Sequence, residues 1–248
     1  MKGLVKRLFN VVGLEISRKS RPFTKAELAE QYYQSQGRKF EWLKSYNFSH
    51  IIDVGANEGQ FAGSISTIFP ETNIFCFEPI KLVFDQLCNN FKGNPHFKFY
   101  NYALGENDED KEIFVNEYSP SSSLMEMMDL HKNSFEYARK TVPEVIKVRQ
   151  LDSFFTDVVM PSLLLKLDVQ GYEMYVLKGG PKLVGHSRVI IIETSFYPLY
   201  HGQPLFGDIY SYLTNLGFEY LGNIEQLNAP IDQKILQADA VFVNRNSF

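Results

Sequence analysis

An acidic side chain and two glycines stand together at the point where the first predicted strand ends. In the segment IIDVGANEGQF they are Asp53, Gly55 and Gly59, between a buried apolar run and a helical run. Glycine has no Cβ, so the backbone at such a turn lets a ligand approach closely. The spacing D-x-G-x-x-x-G differs from the G-x-G-x-x-G pattern of a dinucleotide site, and Glu58 at the start of the helix would repel a phosphate. The loop therefore favours a cationic ligand, such as an ammonium or a sulfonium.

A second acid, Glu78, follows the next predicted strand, 25 residues after Asp53. A carboxylate at that position typically accepts two hydrogen bonds from the paired hydroxyls of a ribose. The alternative is that Glu78 only caps the helix that begins after Pro79. Together with the glycine loop, Glu78 indicates a nucleoside that carries a positive charge, and S-adenosylmethionine fits that description.

Two further acids, Asp168 and Glu193, end the fourth and fifth strands of the predicted main sheet. They should be neighbours, because the ends of parallel strands meet at the same edge of a sheet. A carboxylate beside a sulfonium methyl group can orient an acceptor hydroxyl and take its proton. Lys166 shares a strand face with Asp168, since side chains alternate along a strand. It either forms an ion pair with that acid or contacts substrate directly.

Other polar side chains near this edge have two interpretations each. His201 is a candidate general base or an exposed loop histidine, and Glu173 either binds substrate or favours the N-terminus of its helix. Ser122 and Ser123 belong to a substrate loop or to a plain polar turn. The sequence has none of the spacings typical of zinc and nucleoside-triphosphate sites, and two carboxylates are a thin ligand set for Mg²⁺. We therefore expect no dedicated metal site.

Periodic hydrophobicity predicts the elements that must position these groups. Strand-like runs alternate with amphipathic helices, which predicts an α/β fold with a mostly parallel sheet and helices on both faces. The predicted strands are 50–54, 73–77, 96–100, 112–117, 145–151, 163–168, 189–193, 218–222 and 240–244, and the predicted helices begin near residues 25, 58, 80, 172 and 208. We expect an N-terminal basic arm and helix over 1–46 and one α/β domain over 47–248. Residues 105–143 interrupt the alternation and are predicted to be an insertion over the substrate side.

Composition narrows the classes of partner. Residues 1–25 contain seven Lys or Arg and one acid, whereas residues 26–248 contain 18 and 28, respectively. Because the body is acidic, nucleic acid is a poor candidate partner. Residues 1–20 have apolar and basic side chains at helical spacing, so this arm could dock on the domain or on a second subunit, or lie on an anionic membrane surface. Two cysteines, no signal-peptide pattern and no apolar run of spanning length indicate a cytoplasmic protein, either free or peripheral to the inner face of the membrane.

Several segments occur in the order found in one enzyme family. They are DVGANEGQF (53–61), FEP (77–79), ALG (103–105), LDSF (151–154), KLDVQGYEMYVLKGG (166–180) and IIIETSFYPLY (190–200). Across residues 50–200 the sequence resembles the FkbM-type methyltransferases. This resemblance implies a Rossmann-like class I methyltransferase fold with seven strands and S-adenosylmethionine as cofactor. It also implies transfer of a methyl group to a hydroxyl of a glycan or another sugar-containing natural product.

The resemblance assigns the cofactor site residue by residue. The matching residues are Asp53, Gly55, Asn57, Gly59, Glu78, Pro79, Ala103, Leu104 and Asp168. Those of the first motif would hold the methionine end, Glu78 the ribose, and Ala103 with Leu104 would flank the adenine. Gln170 stands where many relatives have an acid, which leaves a metal or base role at that position open.

Three hypotheses follow from these sequence patterns. The first is an O-methyltransferase whose acceptor is a small-molecule or lipid-linked glycan. Because of Gln170, the second is a protein that binds S-adenosylmethionine without catalysis and assists a glycan-assembly enzyme. The third is a dehydrogenase, which would bind NAD instead.

Overall fold

The structure of the protein is a computed structural model that describes residues 22–116, 124–125, 141–156, 160–230 and 232–245. The basic arm (residues 1–20) and the predicted substrate serines Ser122 and Ser123 lie outside the described residues. Within the described ranges, every helix is too short or too polar to cross a membrane.

The chain divides into two compact units, residues 1–32 and residues 33–248. In the first unit, the predicted capping box is present at the start of a helix. The Thr24 N–H donates to Glu27 Oε2 at 2.8 Å, and the Glu27 N–H donates to Thr24 Oγ1 at 3.2 Å. Each side chain thus satisfies a backbone group that the first helical turn leaves unpaired. The predicted domain boundary after residue 46 stays a prediction.

The helices and strands follow the predicted alternation. The helices are α1 (Lys25–Gly37), α2 (Gln60–Ser66), α3 (Lys81–Asn90), α4 (Glu173–Gly179), α5 (Pro181–His186) and α6 (Phe206–Asn215), with 3₁₀ segments at Arg38–Tyr46 and Leu151–Phe154. The strands are β1 (His50–Val54), β2 (Asn73–Phe77), β3 (Phe97–Tyr100), β4 (Ala103–Leu104), β5 (Glu109–Asn116), β6 (Thr141–Arg149), β7 (Leu163–Leu167), β8 (Ser187–Ser195), β9 (Phe218–Asn228) and β10 (Ile235–Asn244). The sequence pattern predicts neither α5 nor the second 3₁₀ segment, because each spans only one or two turns.

Seven strands form the main sheet, in the order β3-β2-β1-β7-β8-β10-β9. The pairs from β3 through β8 are parallel, and β10 runs antiparallel to both of its neighbours. The order reverses between β1 and β7, which is where open parallel sheets bind their ligands. The predicted Rossmann-like, mostly parallel seven-stranded sheet is confirmed.

Each face of this sheet carries its own apolar core. On one face, α4, α5 and α6 pack through residues such as Val176, Val184 and Leu213. On the other, the first 3₁₀ segment, α2 and α3 contribute Leu43, Ile65, Leu87 and others. The central strands are buried on both sides, which explains why β7 reads as an almost unbroken leucine run. Covering both faces leaves the strand ends as the open surface of the fold.

A second, three-stranded sheet has the order β4-β6-β5. Strands β5 and β6 pair antiparallel, from Glu109 opposite Val148 to Asn116 opposite Thr141. Their apolar side chains form a small cluster with the start of α3, which includes Ile80 and Val83. Strands β5 and β6 correspond to the predicted strand 112–117, inside the predicted insertion, and to the predicted strand 145–151, directly after it. The extent and substrate-facing role of residues 105–143 remain predictions.

Candidate functional site

The glycine loop after β1 is tied to both neighbouring strands. The N–H groups of Gly55 and Ala56 donate to the Phe77 carbonyl oxygen at 3.0 and 2.9 Å. Gly55 has a φ of +80°, and a Cβ placed on it would lie 1.8 Å from the Asp168 carbonyl oxygen. Only glycine therefore fits between β1 and the end of β7. This close approach brings the two groups of acids predicted from the sequence to one edge of the sheet.

The side chain of Asp53 is buried, and one of its carboxylate oxygens accepts no hydrogen bond from the described residues. The side chain is 1% exposed, and its Oδ2 has no hydrogen-bond partner among the described residues. Burial raises the pKa of Asp53 to about 7, although Lys166, its partner across β1 and β7, acts in the opposite direction. A buried, unpaired carboxylate oxygen is costly, and a cationic ligand group at the strand end would offset that cost.

Glu78 is held by backbone donors from two different segments. Its Oε2 accepts the Asn57 N–H at 3.0 Å, and its Oε1 accepts the Ile80 N–H at 2.9 Å. Burial raises the pKa of Glu78 to about 7, against the effect of these two donors. An ionised carboxylate has about four acceptor positions. Glu78 thus caps the turn before α3, as the alternative interpretation expected, and keeps acceptor capacity for ribose hydroxyls.

The loop that follows β3 is fixed against the same turn. The Asn101 side-chain amide donates to the carbonyl oxygens of Glu78 and Pro79, each at 2.9 Å. Ala103 and Leu104 follow directly, and both are buried in apolar clusters. The segments predicted to flank the ribose and the adenine are therefore adjacent, while the contact of Ala103 and Leu104 with adenine stays a prediction.

Lys166 is buried among carboxylates at the end of β7. It is 4% exposed, and its Nζ lies 3.4 Å from Asp168 Oδ2 and 3.1 Å from Asp239 Oδ1. Burial alone would lower the pKa of Lys166, but the surrounding carboxylates outweigh it and raise that pKa above its usual value. Lys166 is therefore an ammonium that forms ion pairs, which was one of its two interpretations. A direct contact of Lys166 with substrate stays a prediction.

Gln170 joins the two acids that end β7 and β8. Its Nε2 donates to Asp168 Oδ1 at 3.0 Å and to Glu193 Oε2 at 2.8 Å. The Gln237 side-chain amide donates to the same Glu193 oxygen at 2.9 Å. Burial and the nearby Asp168 raise the pKa of Glu193 well above its usual value. The predicted proximity of Asp168 and Glu193 is thus present, with an amide between them.

Glu173 holds the loop between β7 and α4. Its Oε1 accepts the N–H groups of Val169 and Gly171 at 3.0 and 3.1 Å. Burial raises the pKa of this acid to about 7. These contacts give Glu173 a role in shaping the loop, and its predicted contact with substrate stays a prediction.

His201 occupies a different environment from the acids. It lies exposed in the turn after β8, and no hydrogen bond within the described part of the chain links it to Asp168 or Glu193. The exposed-loop interpretation therefore describes its position. Its role as a general base stays a prediction.

Sequence reasoning missed four side chains that complete the site: Asp239, Gln237, Tyr200 and Gln203. Asp239 pairs in register with Glu193, and Gln237 pairs with Ser195. Two polar residues in the otherwise apolar run of β10 were a signal that could have found the first pair. No comparable signal marks Tyr200 and Gln203, which come from the loop after β8.

The assembled edge of the sheet is strongly acidic. Its acids are Asp53, Glu78, Asp168, Glu173, Glu193 and Asp239. The buried base Lys166 forms ion pairs with two of them, Asp168 and Asp239. Such a field favours a cation over an anion. The unsatisfied oxygen of Asp53 within this acidic edge fits a positively charged nucleoside such as S-adenosylmethionine. Among the described residues, no group of three or more His, Cys, Asp or Glu has a geometry that would hold a metal ion.

A family model and two curated relatives match this chain. The family model described as the methyltransferase FkbM domain matches residues 53–220. The 2-O-methyltransferase NoeI of Sinorhizobium fredii is 26% identical over 161 residues, which cover 62% of this chain and 66% of that protein. Methyltransferase 1 of Beauveria bassiana is 27% identical over 146 residues, which cover 53% and 58%. The chain spans less than two thirds of the length of these curated relatives.

The solved structures that match this chain share less sequence with it than the curated relatives do. Magnesium protoporphyrin IX methyltransferase from Synechocystis, solved with bound S-adenosylmethionine, has a TM-score of 0.45 and 12% identity, with 98% of this chain and 96% of that chain covered.

The match to the family model extends over more than half of the chain and includes both groups of acids. The chain therefore belongs to the FkbM family of S-adenosylmethionine-dependent methyltransferases.

Proposed function

We propose that the protein is an O-methyltransferase that transfers a methyl group to a hydroxyl of a glycan or another sugar-containing natural product. The observation that carries the proposal is the close approach of Gly55 to the Asp168 backbone. It brings the end of β7, where Gln170 links Asp168 and Glu193, next to the proposed cofactor loop. The name of the Sinorhizobium relative, a 2-O-methyltransferase, specifies oxygen as the acceptor atom in that protein. An acidic site also suits a neutral hydroxyl better than an anionic acceptor.

The cofactor is assigned to the ends of β1, β2 and β3. Asp53, with its unsatisfied oxygen, would receive the cationic end together with the loop residues Gly55, Asn57 and Gly59. Glu78 would accept the ribose hydroxyls. When bound, S-adenosylmethionine supplies a methyl carbon that is activated by the positively charged sulfur. The chain's contribution is to hold and orient the two reactants and to exclude water.

Proton removal from the acceptor is assigned to Glu193. Its Oε2 accepts two amide donors, and its Oε1 would accept the proton of an acceptor hydroxyl. A base with a raised pKa matches its task near neutral pH. Asp168 would orient the hydroxyl, and the buried ammonium of Lys166 would balance the negative charge of Asp168.

The test is a methyl-transfer assay with purified full-length protein. We would supply methyl-labelled S-adenosylmethionine and a set of neutral glycans with free hydroxyls, alongside the same glycans with those hydroxyls blocked. Label should appear on the free glycans only, with loss of activity in Asp168→Asn. Cofactor binding without transfer to any acceptor would instead support the non-catalytic partner of a glycan-assembly enzyme. Absence of cofactor binding by calorimetry would contradict both.

Location and partners are part of the proposal. We infer a cytoplasmic enzyme whose residues 1–20, with their basic and apolar side chains, reach an anionic membrane surface or a second subunit. Contact with the membrane would suit a lipid-linked acceptor. A vesicle sedimentation assay and a molar-mass measurement in solution distinguish these partners.

A further inference from the structure

The carboxamide of Gln170 occupies the space between the two acids of the acceptor side. Its single nitrogen lies 3.0 Å from Asp168 Oδ1 and 2.8 Å from Glu193 Oε2. An amide nitrogen carries two hydrogens, so each acid receives one of them. Two carboxylates brought this close would otherwise repel each other or share a proton.

The orientation of this amide is fixed from the other side. The Tyr200 hydroxyl donates to Gln170 Oε1 at 2.9 Å, so the nitrogen must face the acids. Tyr200 is fully buried. Gln203 Oε1 accepts the N–H groups of Leu199 and Tyr200 at 2.9 and 3.3 Å, which holds this loop. A flipped amide would lose the Tyr200 hydrogen bond and turn an oxygen toward two carboxylates.

The backbone at Gln170 is also unusual. Its φ is +53°, in the left-handed region that few side chains other than Asn and Asp adopt. Glu173 holds the loop through the N–H groups on both sides of Gln170. A Cβ on Gly171 would lie 2.9 Å from the Tyr200 ring, so glycine is needed for the ring to approach. Strained residues that the surroundings hold in place are concentrated at functional sites.

We propose that Gln170 is a positioning residue for methyl transfer, a neutral clamp that holds Asp168 and Glu193 in reach of one acceptor hydroxyl without a bridging cation. This inference rests on the proposed function, since it assigns the acceptor to these acids. The charged groups that face the pair are Lys166 on β7, Glu173 on α4 and Asp239 on β10. Lys166 is held as an ammonium by Asp168 and Asp239, in contacts that do not involve Gln170.

The clamp predicts a specific consequence for Gln170→Glu. This change replaces a donor by a third carboxylate, which must take up a proton or a cation to stay in place. At pH 8 we expect the variant to melt about 3 °C or more below the parent protein. Millimolar MnCl₂, or a pH near 5.5, should restore most of that loss, because Mn²⁺ binds carboxylates. Lowering the pH should raise the melting temperature of Gln170→Glu more than that of the parent protein, in which other buried acids also take up protons. MnCl₂ should raise the melting temperature of neither the parent protein nor the exposed control Gln226→Glu.

Kinetics supply a second readout that a merely structural role would not move. In Gln170→Glu without metal, we expect kcat to fall about tenfold or more with an unchanged Kd for S-adenosylmethionine, because the reacting groups are misplaced while the cofactor loop is not. Tyr200→Phe removes a single hydroxyl and should lower kcat about fivefold, again with an unchanged Kd. It keeps the test available if Gln170→Glu fails to fold.

The outcomes separate this inference from the proposed function. If Gln170→Glu melts like the parent protein at pH 8 and does not respond to MnCl₂, the clamp is wrong. If Tyr200→Phe retains full kcat, the clamp is also wrong. If the parent protein transfers no methyl group to any acceptor, the proposed function fails, whereas the melting experiment still reports on the clamp.

Discussion

Two pairs of acids lie at neighbouring strand ends of one sheet, and different donors hold them. Asp53 interacts with the backbone N–H of Ala62 in α2, and Glu78 accepts the backbone N–H groups of Asn57 and Ile80. Asp168 and Glu193 are held by side chains, among which Gln170 contacts both. Backbone donors are fixed by the course of the chain, whereas side-chain donors change with a single substitution. The first pair therefore suits a constant cofactor, and the second suits an acceptor that varies.

The largest effect is expected on the acceptor side, from Glu193→Gln. This variant keeps the shape of the side chain but cannot accept the hydroxyl proton, so kcat should fall by about 10²-fold or more. The Kd for S-adenosylmethionine, measured by calorimetry, should stay within about a factor of three. The exposed acid Glu225, which pairs with Lys39, provides the matched control Glu225→Gln with normal kcat. A comparable loss of cofactor affinity in Glu193→Gln would erase the distinction between the two pairs.

On the cofactor side, Glu78→Ala should change binding rather than turnover. Loss of the paired hydrogen bonds to the ribose costs on the order of 2–3 kcal/mol, which raises the Kd for S-adenosylmethionine by tens of fold. At saturating cofactor, kcat should fall far less than in Glu193→Gln. Glu71→Ala, at an exposed acid in the loop before β2, serves as the control. An unchanged Kd in Glu78→Ala would show that the ribose lies elsewhere.

Asp53→Asn tests the comparison between the two pairs of acids through thermal stability. An unfolded aspartate titrates near pH 4, and the folded value is about 7. Because the folded state binds this proton more tightly, the stability that the group contributes is full below pH 4 and is lost as the pH rises to 7. Without cofactor, Asp53→Asn should therefore melt about 5 °C above the parent protein at pH 8, with a smaller difference at pH 5.

The same variant should bind S-adenosylmethionine about tenfold more weakly, since the cationic end loses a charged partner. The exposed acid Asp85, which pairs with Lys81, provides the control Asp85→Asn. A variant that melts lower than the parent protein at pH 8 would contradict the assignment of Asp53 as a buried carboxylate that awaits a cation.

The smallest effect on the chemistry is expected from deletion of residues 1–20. Neither pair of acids depends on this arm in the proposed mechanism, so kcat and Kd with soluble acceptors should be unchanged. Activity on acceptors embedded in anionic vesicles should fall, because the basic residues no longer contribute about 1 kcal/mol each near the surface. If the truncated protein is as active as the full chain on acceptors embedded in anionic vesicles, the proposed membrane contact is wrong.

The contrast between the two pairs of acids also explains which parts of the site could be predicted from the sequence. The positions of Asp53 and Glu78 follow from strand, glycine and helix signals within a few residues of each acid, so they were predictable. The ion pair of Lys166 was anticipated with Asp168, but its second partner, Asp239, lies 73 residues away. Such contacts depend on the pairing of β8 with β10, and no local pattern encodes that register.

The orientation of individual side chains was the second feature that could not be predicted from the sequence. Gln170 could be recognised from sequence only as a departure from its relatives, because its function depends on a left-handed backbone and on the Tyr200 hydroxyl. The long β9 was predicted only in part, since its far end is exposed and polar. The first half of β10 was missed because Gln237 and Asp239 interrupt its apolar run. Periodicity identifies a strand where it is buried and loses it where it meets solvent.

The most direct test of the account is the pH dependence of kcat with saturating cofactor and acceptor. Glu193 must be ionised to accept the proton, and burial with Asp168 nearby raises its pKa. The account predicts that kcat of the parent protein rises with pH through a midpoint clearly above the usual glutamate value of about 4.3. In Glu193→Gln this acid limb should disappear along with most of the rate. A parent profile that is flat down to pH 4.5, or the same limb in Glu193→Gln, would contradict the assignment of Glu193 as the proton acceptor.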